Sequence, residues 1–404
     1  MFTTAVSSPT LPHQQHAAIR WAPLAIALAL LGMGGLYLYG AVSLNQALLW
    51  LVGALLGITL YHSAFGFTYA WRVFASDRRA AGIRAQMVML AAGVLLFFPF
   101  LAAGTLAGNP VQGFVAPVGT SVLVGAFIFG IGMQLGGGCA SGTLFTVGGG
   151  NTRMLVTLLF FIIGSVIATA HFDWWMALPA LAPVNLLDSW GLWPALLANL
   201  AVFAVVAYGA TWLERRRHGR IVSFASRTDR PVSLLRGAWP LLWGGLALVA
   251  LNFATLWLGG RPWGITSALA LWGAKGAGAI GIDVSEWGYW SIRLNSLYSP
   301  VSEDITSVMN IGLVLGALAA ASLAGKFSPV WKIPRRSLVA AIVGGLMLGY
   351  GARLAFGCNI GAYFSGILSG SVHAWLWLPA AYAGSVIGVR LRPLFGLAVE
   401  KTTC

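Results

Sequence analysis

Charged residues are scarce in this chain, and acidic residues are the scarcest of them. Only 8% of the 404 residues are charged, 10 residues are aspartate or glutamate, and the formal net charge is +14. A soluble domain of average composition carries about 25% charged residues, so the composition excludes an ordinary soluble protein. Because 58% of the residues are hydrophobic, the chain has the composition of a membrane protein.

Cysteine is equally rare, and several motifs are missing. Three cysteines are an odd number, which argues against a disulfide framework. No GxxxxGK[ST] loop occurs, which argues against direct use of ATP. The segments around the two internal cysteines contain no histidine, aspartate or glutamate, so a zinc site lacks ligands. We expect no metal, no cofactor, no nucleic-acid partner and no enzymatic activity.

The apolar residues form long runs. They include residues 24–40, 87–108, 154–170 and 241–260. A span needs about 20 apolar residues, so the chain has room for about nine to eleven spans. Only helices satisfy the backbone hydrogen bonds of a single apolar segment in lipid. The sequence therefore predicts an all-α polytopic membrane protein, in which some spans are re-entrant or broken.

Basic clusters divide the chain into parts. The clusters lie at 72–84, 214–230, 326–336 and 390–401. Cytoplasmic loops of membrane proteins are rich in lysine and arginine, so the clusters and both termini are predicted to be cytoplasmic. The predicted parts are a cytoplasmic N-terminal tail (1–20), a first transmembrane half (21–213), a basic cytoplasmic linker (214–236), a second transmembrane half (237–390) and a cytoplasmic C-terminal tail (391–404). Within the second half, GGRPWG at 259–264 predicts a break in a helix.

The two halves contain a related segment. VGAFIFGIGMQLGGGCASGTLF (124–145) and VGGLMLGYGARLAFGCNIGAYF (343–364) are identical at nine of 22 positions when they are shifted by 219 residues. The shift brings Cys139 onto Cys358. Shared glycines are common in membrane helices, but the matching cysteine, leucine and phenylalanine predict an internal repeat.

Equivalent loops of this repeat differ in charge. The stretch before the repeat's third element, the span that precedes the cysteine segment, is basic in the first half (72–84) and mostly acidic in the second half (282–305). The next loop is uncharged in the first half (109–118) and basic in the second half (326–336). Equivalent loops would thus lie on opposite sides of the membrane. This arrangement predicts an inverted repeat, a construction common in secondary transporters.

The cysteine segments are the candidate solute-binding site. Each glycine destabilises a helix by about 1 kcal/mol relative to alanine, and irregular backbone at membrane depth must line a cavity or be buried in protein. We therefore expect two re-entrant or broken helices that meet near the middle of the membrane. The candidate residues are Gln134, Gly136, Gly137, Gly138, Cys139, Ser141, Gly142, Thr143, Arg353, Gly357, Cys358, Asn359 and Gly361.

Several of these residues have a second interpretation. A buried cysteine is usually a small hydrophobic residue, so both cysteines could serve packing alone. Arg353 could attract an anion or extend to a membrane interface. The segment SEWGYWSIR (285–293) is interpreted as an interfacial anchor formed by Trp287, Tyr289 and Trp290, because tryptophan and tyrosine are enriched at that depth.

These motifs resemble the YeeE/YedE sulphur-transport family of bacterial inner-membrane proteins. The similar segments are GALLGITLYHSAFGFTYAWR (53–72), FGIGMQLGGGCASGTLF (129–145), SEWGYW (285–290) and GYGARLAFGCNIGAYFSGILSGSVHAWLW (349–377). The chain looks more like the YedE branch, which is linked with selenium metabolism. The resemblance implies a multi-pass inverted-repeat protein of the bacterial inner membrane that transports a small sulfur- or selenium-containing anion such as thiosulfate.

The resemblance also implies a mechanism and a partner. In the thiosulfate branch, three cysteines pass the anion inward through S–H···S contacts, and Cys139 and Cys358 match two of them. The third position falls within 57–72, where this chain has Gly66. The implied partner is a soluble TusA-like sulfur carrier. An alternative function is a membrane scaffold that holds a persulfide for such a carrier, which requires a reactive thiolate.

Overall fold

The computed structural model describes residues 18–225 and 232–399. Within these residues, ten helical segments are long and apolar enough to cross a membrane. This confirms the predicted all-α polytopic membrane protein. Parts of the predicted tails (1–17 and 400–404, with Cys404) and of the linker (226–231) lie outside the described residues.

Residues 21–218 contain ten helices and two pairs of very short strands. α10 continues beyond residue 213, so the first five residues of the predicted linker are helical. The helices are α1 (Trp21–Ala41), α2 (Leu44–Ser63), α3 (Phe67–Asp77), α4 (Ala81–Ala103), α5 (Thr120–Gly136), α6 (Ala140–Gly148), α7 (Thr152–Ala170), α8 (Phe172–Met176), α9 (Leu186–Trp190) and α10 (Leu192–His218). Antiparallel pairs join β1 (Thr105–Leu106) to β2 (Asn109–Pro110) and β3 (Val118–Gly119) to β4 (Ala180–Leu181).

The named elements of the second half are all helical. Its helices are α11 (Leu241–Gly259), α12 (Thr266–Ala279), α13 (Gly288–Ser291), α14 (Leu294–Tyr298), α15 (Ile305–Leu323), α16 (Arg335–Leu354), α17 (Gly366–Leu368) and α18 (Val372–Leu391). A π-helix (Asn359–Ser365) precedes α17, and two 3₁₀ turns cover Val301–Glu303 and Arg392–Phe395. The gap between α11 and α12 includes the end of GGRPWG, where the sequence predicted a break.

The centre of the bundle is formed by helices in backbone contact. α5 packs along α18 and α16, and α7 packs along α16. A Cβ built on Gly130 of α5 would lie 2.0 Å from the carbonyl oxygen of Ala381 in α18. One built on Gly349 of α16 would lie 2.1 Å from the carbonyl oxygen of Phe161 in α7. Small residues allow such close approach where lipid supplies no hydrophobic drive for helix association.

The two ends of the bundle differ in charge. One end, which we call the basic face, carries the ion pair between Arg84 Nη2 and Glu214 Oε2 at 3.1 Å, and His218 Nε2 lies 2.6 Å from the Asp77 carbonyl oxygen. The basic clusters 72–84, 215–220 and 326–336 lie at this end. The other end, the opposite face, carries the short strands and α8, α9, α13 and α14. Basic charge is therefore concentrated at one end of the bundle.

Candidate functional site

Both cysteines occupy the same local position. Cys139 precedes the first residue of α6, and Cys358 precedes the first residue of the π-helix; both have extended backbone, with φ of −77° and −105°. The residue pattern before them is similar: α5 ends at Gly136 and Gly137 has φ of +98°, and after α16 ends at Leu354 the residue next to Cys358, Gly357, has φ of +157°, values that side chains disfavour. α6 packs against the π-helix. The two cysteine-bearing elements therefore meet inside the bundle.

The Cys139 thiol lies among the first residues of α6. It is 1% exposed, and its Sγ lies 3.3 Å from Ser141 Oγ. Because Gly142 has no side chain, there is space beside this sulfur, where a Cβ would lie 3.7 Å from it. The Thr143 hydroxyl donates to the Cys139 carbonyl oxygen at 2.9 Å. Thr143 is thus engaged with its own helix, whereas Ser141 contacts the thiol.

A large cavity reaches Cys139 from the basic face. Its volume is about 870 Å³, and we call it the vestibule. Two glycine-containing breaks form its wall, the one between α5 and α6 and the one between α2 and α3. The lining residues include Gly66, Thr68, Asp77, Arg79, Gly137, Gly138, Cys139, Gly142, Phe224 and Trp239. A solute of a few atoms entering from this face can reach the Cys139 position.

Gly66 stands in the vestibule wall with space around it. Its φ of −127° and ψ of 118° are extended values that any residue adopts. The nearest atom to a Cβ at this position would be Tyr69 Cβ at 3.8 Å, an ordinary van der Waals distance. The site where the resemblance implied a third cysteine therefore accepts a side chain without strain.

Two arginines hold the end of α5 just before Cys139. Arg153 donates to the carbonyl oxygens of Leu135 and Gly136, each at 2.7 Å. Arg392 donates to the carbonyl oxygen of Gln134 at 2.6 Å. Cations at a helix C-terminus satisfy its unpaired carbonyls and oppose the negative end of its dipole. Sequence reasoning missed both residues, although their basic charge within and next to apolar runs was a visible signal.

The predicted C-terminal tail begins inside the bundle. Residues 391–404 were predicted to be a cytoplasmic tail, but Arg392 is only 7% exposed. It packs against α5 because the carbonyl groups at the end of a buried helix require donors that water cannot supply. The described beginning of the predicted tail is therefore part of the folded bundle.

Gln134 and Arg353, equivalent in the repeat, are both engaged with protein. Gln134 Nε2 donates to the Thr68 carbonyl oxygen at 3.1 Å and to Ser385 Oγ at 2.7 Å. Arg353 Nη1 donates to the Tyr289 hydroxyl at 2.9 Å, and its Cζ lies 4.9 Å from the centre of that ring. Gln134 thus joins α3, α5 and α18. Arg353 neither extends to an interface nor lacks a partner.

The predicted interfacial anchor at 285–293 is wrong for its two central aromatic residues. Tyr289 is 7% exposed and Trp290 is 2% exposed. Trp290 Nε1 donates to Thr169 Oγ1 at 3.1 Å. The Tyr289 ring gives the buried Arg353 a hydrogen-bond acceptor and a π-face, which an arginine in an apolar region requires.

The second cysteine is enclosed more completely than the first. Cys358 is 0% exposed, and its Sγ accepts a hydrogen bond from the Ile360 backbone N–H at 3.4 Å. Asn359 is also 0% exposed, and neither atom of its amide has a hydrogen-bond partner among the described residues. An unpaired buried polar group costs about 1–3 kcal/mol. A Cβ on Gly361 would meet nothing within 4 Å, so open space adjoins this pair.

The predicted residues therefore divide into two groups. Gly136 is packed against Leu348 and Thr157, Gln134 and Arg353 hold elements together, and Thr143 bonds within its own helix. The remaining predicted residues surround the cysteines or the adjoining space. They are Gly137, Gly138, Cys139, Ser141, Gly142, Gly357, Cys358, Asn359 and Gly361.

Known proteins resemble this chain over much of its length. The family described as "Sulphur transport" matches residues 62–387. The chain is 28% identical over 351 residues to the "Thiosulfate transporter TsuA" of Spirochaeta thermophila, a match that covers 81% of this chain and 92% of that protein. It is 24% identical over 342 residues to TsuA of Escherichia coli, covering 80% and 87%.

A more identical but shorter match is to the "Probable transporter YedE" of Escherichia coli. It is 36% identical over 143 residues, which is 35% of each chain, so it spans about a third of that relative. The family match, in contrast, covers most of the present chain and includes both cysteine elements. This multi-pass membrane protein belongs to the sulphur-transport family.

Proposed function

We propose that the protein transports a small sulfur-containing anion such as thiosulfate. Analogous selenium-containing anions would use the same route. The observation that carries the proposal is the pair of cysteine elements: Cys139 lies in the vestibule wall, and α6 packs against the π-helix that follows Cys358. The relatives named as thiosulfate transporters support the class of solute. The role is transport and not catalysis.

The chemistry of the two elements suits a soft anion. The N-terminus of α6 carries free N–H groups and the positive end of a helix dipole, which attract negative charge. Thiols are polarizable and donate weak hydrogen bonds, so they can contact the terminal sulfur of thiosulfate without a covalent step. The unpaired Asn359 amide offers a donor for an oxygen of the anion. Cys139 and Cys358 would then contact the solute in succession.

We infer the orientation from the charge of the two ends. Basic loops are retained in the cytoplasm, so the basic face is cytoplasmic in a bacterial inner membrane and the vestibule opens inward. The shift of 219 residues brings α4 onto α15, and five of the ten candidate spans, from Ala81 to Gly259, come before α15 begins. An odd number of crossings inverts the second copy, and the matching close contacts of Gly130 and Gly349 support this inverted repeat.

Uptake into proteoliposomes tests this function. We expect purified protein to accumulate ³⁵S-thiosulfate above the level of protein-free liposomes. Unlabelled thiosulfate and selenosulfate should compete, because both present a terminal chalcogen atom to the thiols. Sulfate should compete poorly, because it offers only oxygen. Equal uptake with and without protein would contradict the proposal.

A second candidate function is a scaffold that holds persulfide for a TusA-like carrier on the cytoplasmic side. The observation in its favour is that the vestibule leads from the basic face to Cys139. Mass spectrometry of protein purified after growth on thiosulfate distinguishes the two. A stable persulfide on Cys139 would favour the scaffold, whereas unmodified thiols together with uptake would favour transport.

Gly66→Cys should add a third thiol to the route without disturbing the fold. The extended backbone and the free space at Gly66 accommodate the side chain, so we expect unchanged thermal stability. Because Gly66 and Cys139 line the same vestibule, thiosulfate uptake should increase. Gly66→Ser is the matched control, since it has similar size but a harder atom. Equal effects of the two substitutions would show that sulfur is irrelevant at this position.

A further inference from the structure

An inward anion carrier needs a coupling cation. Each negative charge moved into a cell against about 100 mV lowers the attainable accumulation about fiftyfold. Ionisable residues inside membrane spans are costly and usually functional. The acidic residues of the described spans, Asp77 and Glu214, lie at the basic face in contact with Arg79, Arg84 or His218. They are poorly placed to take a proton from the opposite face.

His373 is a buried ionisable residue close to the second cysteine element. It lies in the first turn of α18 and is 0% exposed. Its Nδ1 lies 2.5 Å from Ser371 Oγ, and its Nε2 has no hydrogen-bond partner among the described residues. The imidazole rests on the backbone of α17, because a Cβ on Gly366 would lie 3.5 Å from Nε2. α17 continues the π-helix that starts after Cys358.

One loop segment covers His373 on the opposite face. Segment 111–118 crosses above it, and the Phe114 ring packs edge-on with its centre 5.5 Å from the imidazole centre. Backbone N–H groups of Phe114 and Ala116 donate to Ser369 and Ser371. Most residues of the segment are partly exposed on the opposite face. On the opposite face, segment 111–118 therefore lies between the solution and His373.

The elements packed against His373 carry few other titratable groups. Segment 111–118, α5 and α17 carry no charged side chain. The π-helix contributes Tyr363, which stacks on Trp377, and Cys358 precedes it. On the other elements packed against α18, the titratable groups are Tyr69, Arg72 and Asp77 of α3 and Arg392, all toward the basic face. Asp188 of neighbouring α9 is exposed to solvent.

We propose that His373 is a proton-binding site that couples anion entry to the inward movement of a proton, an inference that rests on the proposed transport function. The neutral imidazole takes one proton from the outer solution on its unprotonated ring nitrogen. The Ser371 hydroxyl can either donate to Nδ1 or accept from it, so it serves both charge states. The imidazolium then favours an anion beside the π-helix, and the proton is released after the anion leaves.

The coupling is tested with thiosulfate, which carries no titrating proton near neutral pH. Proteoliposomes contain a trapped pH-sensitive dye, and potassium with valinomycin holds the membrane potential at zero. Thiosulfate added outside should acidify the lumen. An inward proton gradient of about tenfold should raise its accumulation up to about tenfold for each coupled proton. Uptake that is insensitive to the gradient overturns the inference but leaves the proposed function intact.

His373→Gln assigns the effect to this residue. The variant should lose stimulation by the proton gradient while exchange of labelled for unlabelled thiosulfate persists. His171→Gln is the control, because His171 is exposed on the same face and contacts Tyr350 instead. Gradient stimulation that survives in His373→Gln overturns the proposal. An absence of wild-type uptake under every condition refutes the proposed function and this inference with it.

Ser371→Ala keeps the test decisive if His373→Gln does not fold. This variant retains the imidazole and removes the hydroxyl at 2.5 Å from Nδ1. Loss of the acceptor for Nδ1–H should move the midpoint of the pH dependence of uptake to lower pH, because the imidazolium loses a stabilising hydrogen bond. An unchanged midpoint in a folded protein overturns the proposal.

Discussion

Cys358→Ala should lower the initial rate of thiosulfate uptake by roughly 10- to 150-fold, the equivalent of one hydrogen bond to a charged group at about 1.5–3 kcal/mol. The thiol lies at the most enclosed part of the proposed route, where it is 0% exposed and water cannot replace it. Cys139→Ala should have a smaller effect, because the vestibule wall can admit water. Initial rates in proteoliposomes, normalised to reconstituted protein, measure both effects.

The matched control is Cys404→Ala, which removes the one cysteine outside the repeat and should leave uptake unchanged. Cys358→Ser keeps the size of the side chain and separates loss of sulfur from loss of volume. Solute-dependent labelling gives a second measurement: a membrane-impermeant maleimide applied to the basic face should react slowly with Cys139, which is 1% exposed, and thiosulfate should slow the reaction further. Wild-type rates in both alanine variants would contradict the cysteine route.

Gly130→Leu should prevent the chain from forming a stable bundle. Its Cβ would lie 2.0 Å from the carbonyl oxygen of Ala381, and that oxygen belongs to the backbone of α18, so relief requires the helices to separate. Overpacking in cores costs about 1–3 kcal/mol or more, and a backbone clash belongs at the upper end. We expect loss of monodisperse protein, or a strongly lowered thermal unfolding temperature in detergent.

Gly209→Leu of α10 is the matched control, because a Cβ there meets nothing within 4 Å. It makes the same chemical change in another membrane helix and should leave the unfolding temperature unchanged. Gly349→Leu should reproduce the effect of Gly130→Leu, since its Cβ would lie 2.1 Å from the Phe161 carbonyl oxygen. A Gly130→Leu protein as stable as the control would show that the α5–α18 contact is not required.

The sequence predicted the cysteine elements well because their signal is local. Clustered glycines next to Cys139 and Cys358 weaken a helix locally, since the cost lies in the backbone itself. The break at GGRPWG was predicted for the same reason, and α11 ends and α12 begins around it. Apolar runs of spanning length likewise needed no tertiary information, because the bilayer thickness sets the length.

Residues whose roles depend on a distant partner were not predicted. Arg153 and Arg392 are 239 residues apart in the chain, yet both bind the end of α5. Tyr289 and Trp290 have the composition of an interfacial anchor, but Arg353 and Thr169 bind them inside the protein. No periodicity or composition reports such pairs, because each hydrogen bond exists only after the helices pack.

By itself the sequence determined that this protein spans a membrane many times and repeats one glycine–cysteine element in each half. It also determined that these elements contain no histidine, aspartate or glutamate to bind a metal. Those features follow from hydropathy, backbone preference and residue identity. Only the tertiary structure decided that the vestibule reaches Cys139 while Cys358 is enclosed, that Gly66 has room for a side chain, and that His373 lies under segment 111–118 with a free ring nitrogen. Exposure and hydrogen-bond partners are set by contacts between distant segments, which only packing brings together.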